Sequence, residues 1–238
     1  MRLGVEDRLK LFLPGALYYP HKIRTQMKSA EPELGILARL VRPGSTAIDV
    51  GANRGIYSYA LAKLGAQVES IEPNPALAHF ARTMLGRKAR VHEVALSNVA
   101  GAGTLHIPFD RRSRPDHLVA SLRDRHDRAI AIEVPLRTLD SFGFTDVSFI
   151  KVDVEGGELE VLEGARRTIS RDRPNLLIEL LAGTHDDPLA AIAEVAAAFD
   201  YDASIVIGTD VVESSRALGE LRGSVRTRNV LFTPRSNS

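Results

Sequence analysis

Between residues 46 and 97 the chain alternates two patterns whose order leaves few folds open. "TAIDV" is a short apolar run, and the loop "GANRG" leads into a helix with Ile56, Tyr59, Ala60 and Leu64 on one side. "QVESIEP" is a second strand, and "NPALAHFARTML" is a helix that Asn74 and Pro75 open in N-cap and N1 style. "RVHEVALS" supplies a third strand. Strand, helix, strand, helix, strand at this spacing predicts a parallel sheet with right-handed crossovers.

The later chain repeats the theme less regularly. Residues 148–154 read as a strand, 158–169 as a helix, "NLLIELL" as a strand and "PLAAIAEVAAAF" as a helix. "ASIVIG" and "NVLFTP" read as two last strands forming a hairpin at the sheet edge. Residues 1–40 read as an amphipathic helical segment, with Leu34, Leu37, Ala38 and Val41 on one face of "EPELGILARLV", and residues 41–238 as one domain. Residues 98–140 break the alternation: "GTLHIP" and "IAIEVPLRTLD" are extra strands flanking "FDRRSRPDHLVASLRDRHDR". That segment is either a solvated excursion or a lid that meets substrate.

Apolar residues make up 44% of the 238, enough for a sizeable core, and the net charge of +1 gives no general attraction to nucleic acid or an anionic membrane. No cysteine is present, which excludes disulfides, thiolate metal sites and cysteine nucleophiles together. "LKLFLPGALYYP" is the one stretch that approaches a targeting or membrane segment; Pro14 and Gly15 break it, so a soluble, cytoplasmic protein is expected.

The loop after the first strand carries chemistry. Gly51 and Gly55 flank Ala52 and Asn53, so the dinucleotide pattern G-x-G-x-x-G is missing. Asp49 precedes the loop, where a carboxylate would crowd a pyrophosphate but suit an ammonium group. Glu72, with Pro73 after it, ends the second strand, where an acid can accept hydrogen bonds from both hydroxyls of a ribose. The two acids together suggest a nucleoside bearing an amino acid, as S-adenosylmethionine does. A third charged group follows in "FIKVDVEGGELEVLEGA". Ile150, Val152 and Val154 alternate with Lys151, Asp153 and Glu155, and such charges on a core strand are expensive unless paired or used. Lys151 is expected to neutralise an acid such as Asp153, and Glu158 to complement the dipole of the next helix.

In order, "IDVGANRG", "IEPNP", "VALSN", "LRTLDSF", "FIKVDVEGGELEVLEGA", "LLIEL" and "NVLF" resemble the motifs of FkbM-type S-adenosylmethionine-dependent methyltransferases, from about residue 31 to 233. The resemblance implies a class I methyltransferase fold, a Rossmann-like α/β three-layer sandwich with a mostly parallel seven-stranded sheet whose last strand is antiparallel. It implies methyl transfer from S-adenosyl-L-methionine to a hydroxyl of a sugar, glycan or natural product; the near-neutral charge already leads us to expect no nucleic-acid or membrane partner. By position, Asp49, Gly51, Ala52, Asn53 and Gly55 would hold the methionine end. Glu72 and Pro73 would border the ribose, and Ala95, Leu96 and Ser97 the adenine. Asp153 and Glu155 would line the reaction site. The segment "RRSRPDHLVASLRDRHDR" has no close counterpart in the family core.

The base that would take the acceptor's proton stays open among Asp153, Glu155 and His185, which lies just past "LLIEL". Asp153, Glu155, Glu179 and His185 could also ligate Mg²⁺, although no dedicated ligand spacing marks them. A nicotinamide-dependent oxidoreductase and a non-catalytic nucleoside-binding module are the alternatives on the same sheet.

Overall fold

A computed structural model of the chain describes residues 15–29, 31–110, 115–116, 120–123, 128–180, 187–207, 210–213 and 229–235. Helix α1 (Gly15–Ser29) leads through a 3₁₀ turn (Pro32–Gly35) to the short α2 (Leu37–Leu40). Next come β1 (Thr46–Val50), α3 (Ile56–Lys63), β2 (Gln67–Ile71), α4 (Pro75–Leu85), β3 (Ala89–His92) and β4 (Ala95–Leu96). After β5 (Gly101–Pro108), β6 (Ala129–Arg137) and β7 (Val147–Val152) follow α5 (Glu158–Glu163), α6 (Arg166–Asp172) and β8 (Asn175–Glu179). The chain finishes with α7 (Pro188–Phe199), β9 (Tyr201–Ile207), β10 (Asp210–Glu213) and β11 (Asn229–Pro234).

The described strands form a main sheet in the order β10-β9-β11-β8-β7-β1-β2-β3. Strands β3, β2, β1, β7 and β8 pair in parallel, and β11 runs antiparallel to both β8 and β9. Because the chain moves outward from β1 through β2 to β3 and then returns to β7 on the other side of β1, the strand order reverses there. Open α/β sheets bind ligands in the crevice this leaves at the strands' carboxyl ends.

Both faces of the sheet are covered, so the inner strands are apolar on both sides. Ile48, Val50, Ile150, Val152, Leu176 and Ile178 pack against Val161, Leu162, Ile169, Ile192 and Val195 of α5, α6 and α7. On the opposite face Ala47, Phe149 and Leu177 meet Tyr57 and Leu61 of α3 with Leu34, Ile36 and Leu37. Tyr18 and Tyr19 of α1 pack with Tyr59 of α3 and with Phe80 and Leu85 of α4. No helix among the described residues is long and apolar enough to cross a membrane.

Several expectations change in detail. The stretch 32–41 is a 3₁₀ turn followed by a short helix, and the tighter winding shifts the phase: Ile36 is buried while Ala38 is exposed. "RVHEVALS" divides between two sheets. His92 ends β3, and Ala95–Leu96 pairs in parallel with β6 in a separate sheet ordered β4-β6-β5. The helix expected over 158–169 breaks after Glu163. A Cβ on Gly164 would sit 2.1 Å from the Ser97 carbonyl oxygen, so this crossing requires glycine. Helix α6 restarts where Asp140 accepts hydrogen bonds from the backbone N–H groups of Arg167 and Thr168, both at 2.9 Å. Strands β9 and β11 do pair, but β11 inserts between β9 and β8, and β10 is the eighth strand and the edge.

Candidate functional site

The loop between β1 and α3 is held close to its neighbours. Gly51 and Ala52 donate backbone hydrogen bonds to the Ile71 carbonyl at 2.9 and 3.0 Å, and Asp153 N–H bonds the Val50 carbonyl at 3.0 Å. Gly51 has φ +77°, and a Cβ there would lie 1.7 Å from the Asp153 carbonyl oxygen, so glycine is obligatory. Asn53 also takes a positive φ of 52°. Gly55 serves packing: a Cβ would meet Leu85 at 2.8 Å and the Tyr19 hydroxyl at 3.2 Å.

Asp49 is 2% exposed. Its Oδ2 accepts from the Ser58 N–H at 2.8 Å and the Ser58 hydroxyl at 2.6 Å, which ties β1 to the start of α3. Burial pushes its carboxyl up to about 6, with the Ser58 hydrogen bonds opposing the rise. Glu72, also buried, sits at the tip of β2. Its Oε2 accepts from Asn53 N–H and its Oε1 from Asn74 N–H, each at 2.8 Å. Burial raises its pKa to about 7 against the pull of those two bonds. A carboxylate offers about four acceptor positions, so two remain on Glu72.

At the end of β7 the charged residues come together. Lys151 is 1% exposed. Its Nζ lies 3.3 Å from Asp153 Oδ2 and 5.4 Å from the centre of the Tyr57 ring. Burial pulls the lysine pKa down, but Asp153, Glu179, Glu31 and Asp49 outweigh it and raise the value above normal. The expected neutralising partner of Asp153 is therefore Lys151. Asp153, Glu155 and Glu179 bring carboxylate oxygens within 4.8 Å of one another. Burial, followed by the charge of Asp153, drives the Glu179 pKa well up. Glu155 leaves the strand alternation with φ 56°, so it turns into the cleft past the strand end. Glu158 lies in the first turn of α5, as expected of an acid that complements the helix dipole; it is buried, and its Oε1 accepts from Gly156 N–H at 2.8 Å.

These groups surround a cavity of about 410 Å³ at the carboxyl ends of β1, β2, β7 and β8. That volume lies within the usual range for small-molecule sites. Gly51, Asn53, Glu72, Pro73, Ala95, Leu96, Asp153 and Glu155 all line it, together with the apolar Ile71, Leu77 and Val94. Asp49 and Ala52 line a neighbouring cavity between α1 and the glycine loop. Ser97 does not line the main cavity; it lines a third one with Leu96, Thr104, Leu136 and Glu160, and Gly164 packs against its carbonyl. His185 lies outside the described residues. Of the groups suggested for Mg²⁺, the three acids are adjacent, but the cation seated beside Asp153 is the Lys151 ammonium.

Some lining residues carried no signal in the sequence. Gln26 and Glu31 reach the cavity because α1 folds over the glycine loop, and Tyr19 hydroxyl fixes that contact by donating to Arg54 O at 2.8 Å. Asn229, opposite Glu179 in register, arrives because β11 runs antiparallel and so starts at the cleft end. Leu105 comes from β5 of the second sheet, and Ala120 and Leu122 from the segment between β5 and β6 that the sequence offered as an excursion or a lid. Ser121 hydroxyl pins that segment by donating to Glu155 O at 2.9 Å, and Arg123 pairs with Glu160 at 2.8 Å.

Comparison with known proteins adds to the geometry. Residues 49–201 match the Methyltransferase FkbM domain family. The chain is 26% identical over 191 residues to the 2-O-methyltransferase NoeI of Sinorhizobium fredii, covering 72% of this chain and 75% of the relative. The crystal structure of Methyltransferase FkbM from Methylobacillus flagellatus superposes with a TM-score of 0.51 at 20% identity, covering 82% of this chain. The chain spans about half the length of that protein, 48%. A TehB-like SAM-dependent methyltransferase from Corynebacterium glutamicum aligns at a TM-score of 0.47 and 15% identity, covering 91% of this chain and 96% of that one. The fold is that of the class I methyltransferases.

Proposed function

The chain belongs to the FkbM methyltransferase family, and from that premise we propose that it transfers a methyl group from S-adenosylmethionine to a hydroxyl oxygen of a sugar, glycan or natural-product small molecule. One observation carries the proposal: the cavity at the strand ends has Glu72 on one wall and Asp153 on the other, with the glycine loop between them. The name of the relative NoeI, a 2-O-methyltransferase, supports a hydroxyl as acceptor.

The residues present fit the nucleoside. Backbone N–H groups hold both Glu72 oxygens in place, and the remaining acceptor positions suit a vicinal diol. Ala95, Leu96, Leu77 and Val94 offer apolar surface for a flat base. Gly51 keeps the loop backbone bare at its closest approach to Asp153. When bound, the cofactor supplies an electrophilic methyl group on a sulfonium.

The chain's own work is then alignment and proton handling, since in-line displacement depends chiefly on holding the reactants in register. Asp153 lies at the reacting end, and Lys151 offsets its charge from beneath. Burial, and after it the charge of Asp153, raises the Glu179 carboxyl, and we assign to Asp153 the role of acceptor for the hydroxyl proton because it lies at the reacting end beside Lys151. Leu105 of β5, with Ala120 and Leu122 of the segment after it, adds apolar lining to the cleft.

The test is transfer of a tritiated methyl group to a panel of hydroxylated sugars and glycans. The Asp153→Asn variant is expected to lose about 10²–10⁴-fold in turnover while binding S-adenosylhomocysteine almost normally. A protein that binds NADH in calorimetry but not S-adenosylhomocysteine would be an oxidoreductase instead.

A further inference from the structure

We propose that Gln26 and Glu31 bind the α-ammonium group of the cofactor's amino-acid tail, so that the segment ahead of the matched family region completes the cofactor site. The inference rests on the S-adenosylmethionine assignment above and assigns two residues to it that lie outside residues 49–201.

Position comes first. Gln26 and Glu31 line the main cavity together with Gly51, Asn53 and Asp153, and the same five residues line the neighbouring cavity between α1 and the glycine loop. They stand where the two spaces meet, above the loop that the methionine end must cross. Asp49, the acid that the sequence sets against the ammonium, is differently disposed. It lies 2% exposed below the loop, commits Oδ2 to two Ser58 donors, and lines only the second cavity.

Hydrogen-bond capacity points the same way. An ammonium brings three N–H donors and no acceptor. Glu31 Oε1 accepts from Gln26 Nε2 at 3.0 Å, which aligns the two side chains. The Gln26 amide oxygen is shielded from solvent and has no hydrogen-bond partner among the described residues. A shielded carbonyl without a donor is costly, and it is an open acceptor beside a carboxylate. Donors to both from one ammonium would satisfy the pair together.

Charge agrees. Glu31 shares its surroundings with Asp153 and Asp49, and Lys151 is the cation that opposes them. A ligand with a positive group at this point lowers the repulsion among the acids.

The test compares two ligands that differ only in the amino group, S-adenosylhomocysteine and its deamino analogue, by calorimetry on the full chain. Wild-type protein should bind S-adenosylhomocysteine about 10- to 100-fold more tightly, the worth of a charge-assisted hydrogen bond. Glu31→Gln should lose most of that preference and keep its affinity for the deamino analogue within about twofold. Gln26→Leu should lose about 3- to 10-fold on S-adenosylhomocysteine alone, a smaller loss because the ammonium keeps its bond to the Glu31 carboxylate. The proposal is overturned if Glu31→Gln retains the full preference, or if both variants weaken the two ligands equally, which marks a merely structural role. Wild-type protein that binds neither ligand would sink the cofactor assignment as well, whereas a bound but indifferent Glu31→Gln sinks this inference alone.

Discussion

Gly51 is where one atom matters most. A methyl group there would lie 1.7 Å from the Asp153 carbonyl oxygen, in backbone that must give way, and φ +77° adds strain for any side chain. Gly51→Ala is expected to cost about 3 kcal/mol or more of stability, at the severe end for single substitutions, by urea unfolding. A cost below 1 kcal/mol would mean that the loop and the β7 end are not in this contact. Acids tell a second story. The folded protein raises Asp49 to about 6 and Glu72 to about 7, from ordinary values of 3.8 and 4.5. The folded state therefore holds protons that the unfolded chain releases, and stability from this source is full below about pH 4 and lost as pH climbs through 6 and 7. Without ligand, the melting temperature should fall between pH 5 and 8, and Glu72→Gln should flatten the upper half of that decline. A flat or rising wild-type profile would contradict the burial of these groups. Asp49 and Glu72 were legible in the sequence because each ends an apolar run before a break. Glu31 was not, since only the docking of α1 onto the loop brings it to the other acids.

Elements are set by their ends as much as by their periodicity. Helix α4 begins where Asn74 accepts a hydrogen bond from Ala76 N–H at 3.1 Å, with Pro75 at the first helical position. Asn74→Ala should cost about 0.5–2 kcal/mol in denaturant unfolding, the usual worth of an N-cap. No measurable loss would show the helix start to be fixed by packing alone. This boundary could be read in advance because the capping residue and proline are adjacent in sequence. The break at Gly164 could not, because its causes, the Ser97 carbonyl and the Asp140 carboxylate, come from chain far away. Strand β3 ends for a related reason. The chain leaves the main sheet after His92 so that Ala95–Leu96 can pair with β6, and a run of eight residues gives no sign that two sheets share it.

For the molecule as a whole, the order of strands decides where chemistry can happen. The reversal at β1 opens a cleft, and the ends of β1, β2, β7 and β8 deliver Asp49, Glu72, Asp153 and Glu179 to it or to its margin. That much follows from alternating apolar runs, each ending in an acid. The second sheet and its apolar contribution to the cleft do not, because Leu105 looks like an ordinary strand residue until the sheet is placed over the site, and the segment holding Leu122 read equally well as a solvated excursion. The central claim is that this cleft grips S-adenosylmethionine by its sugar at Glu72 and points its sulfur toward Asp153. A crystal structure with S-adenosylhomocysteine tests it most directly. The account predicts ribose hydroxyls on the Glu72 carboxylate, the base against Ala95 and Leu96, and the sulfur on the Asp153 side. A nucleoside lodged away from Glu72, or crystals that take up none at saturating concentration, would contradict it.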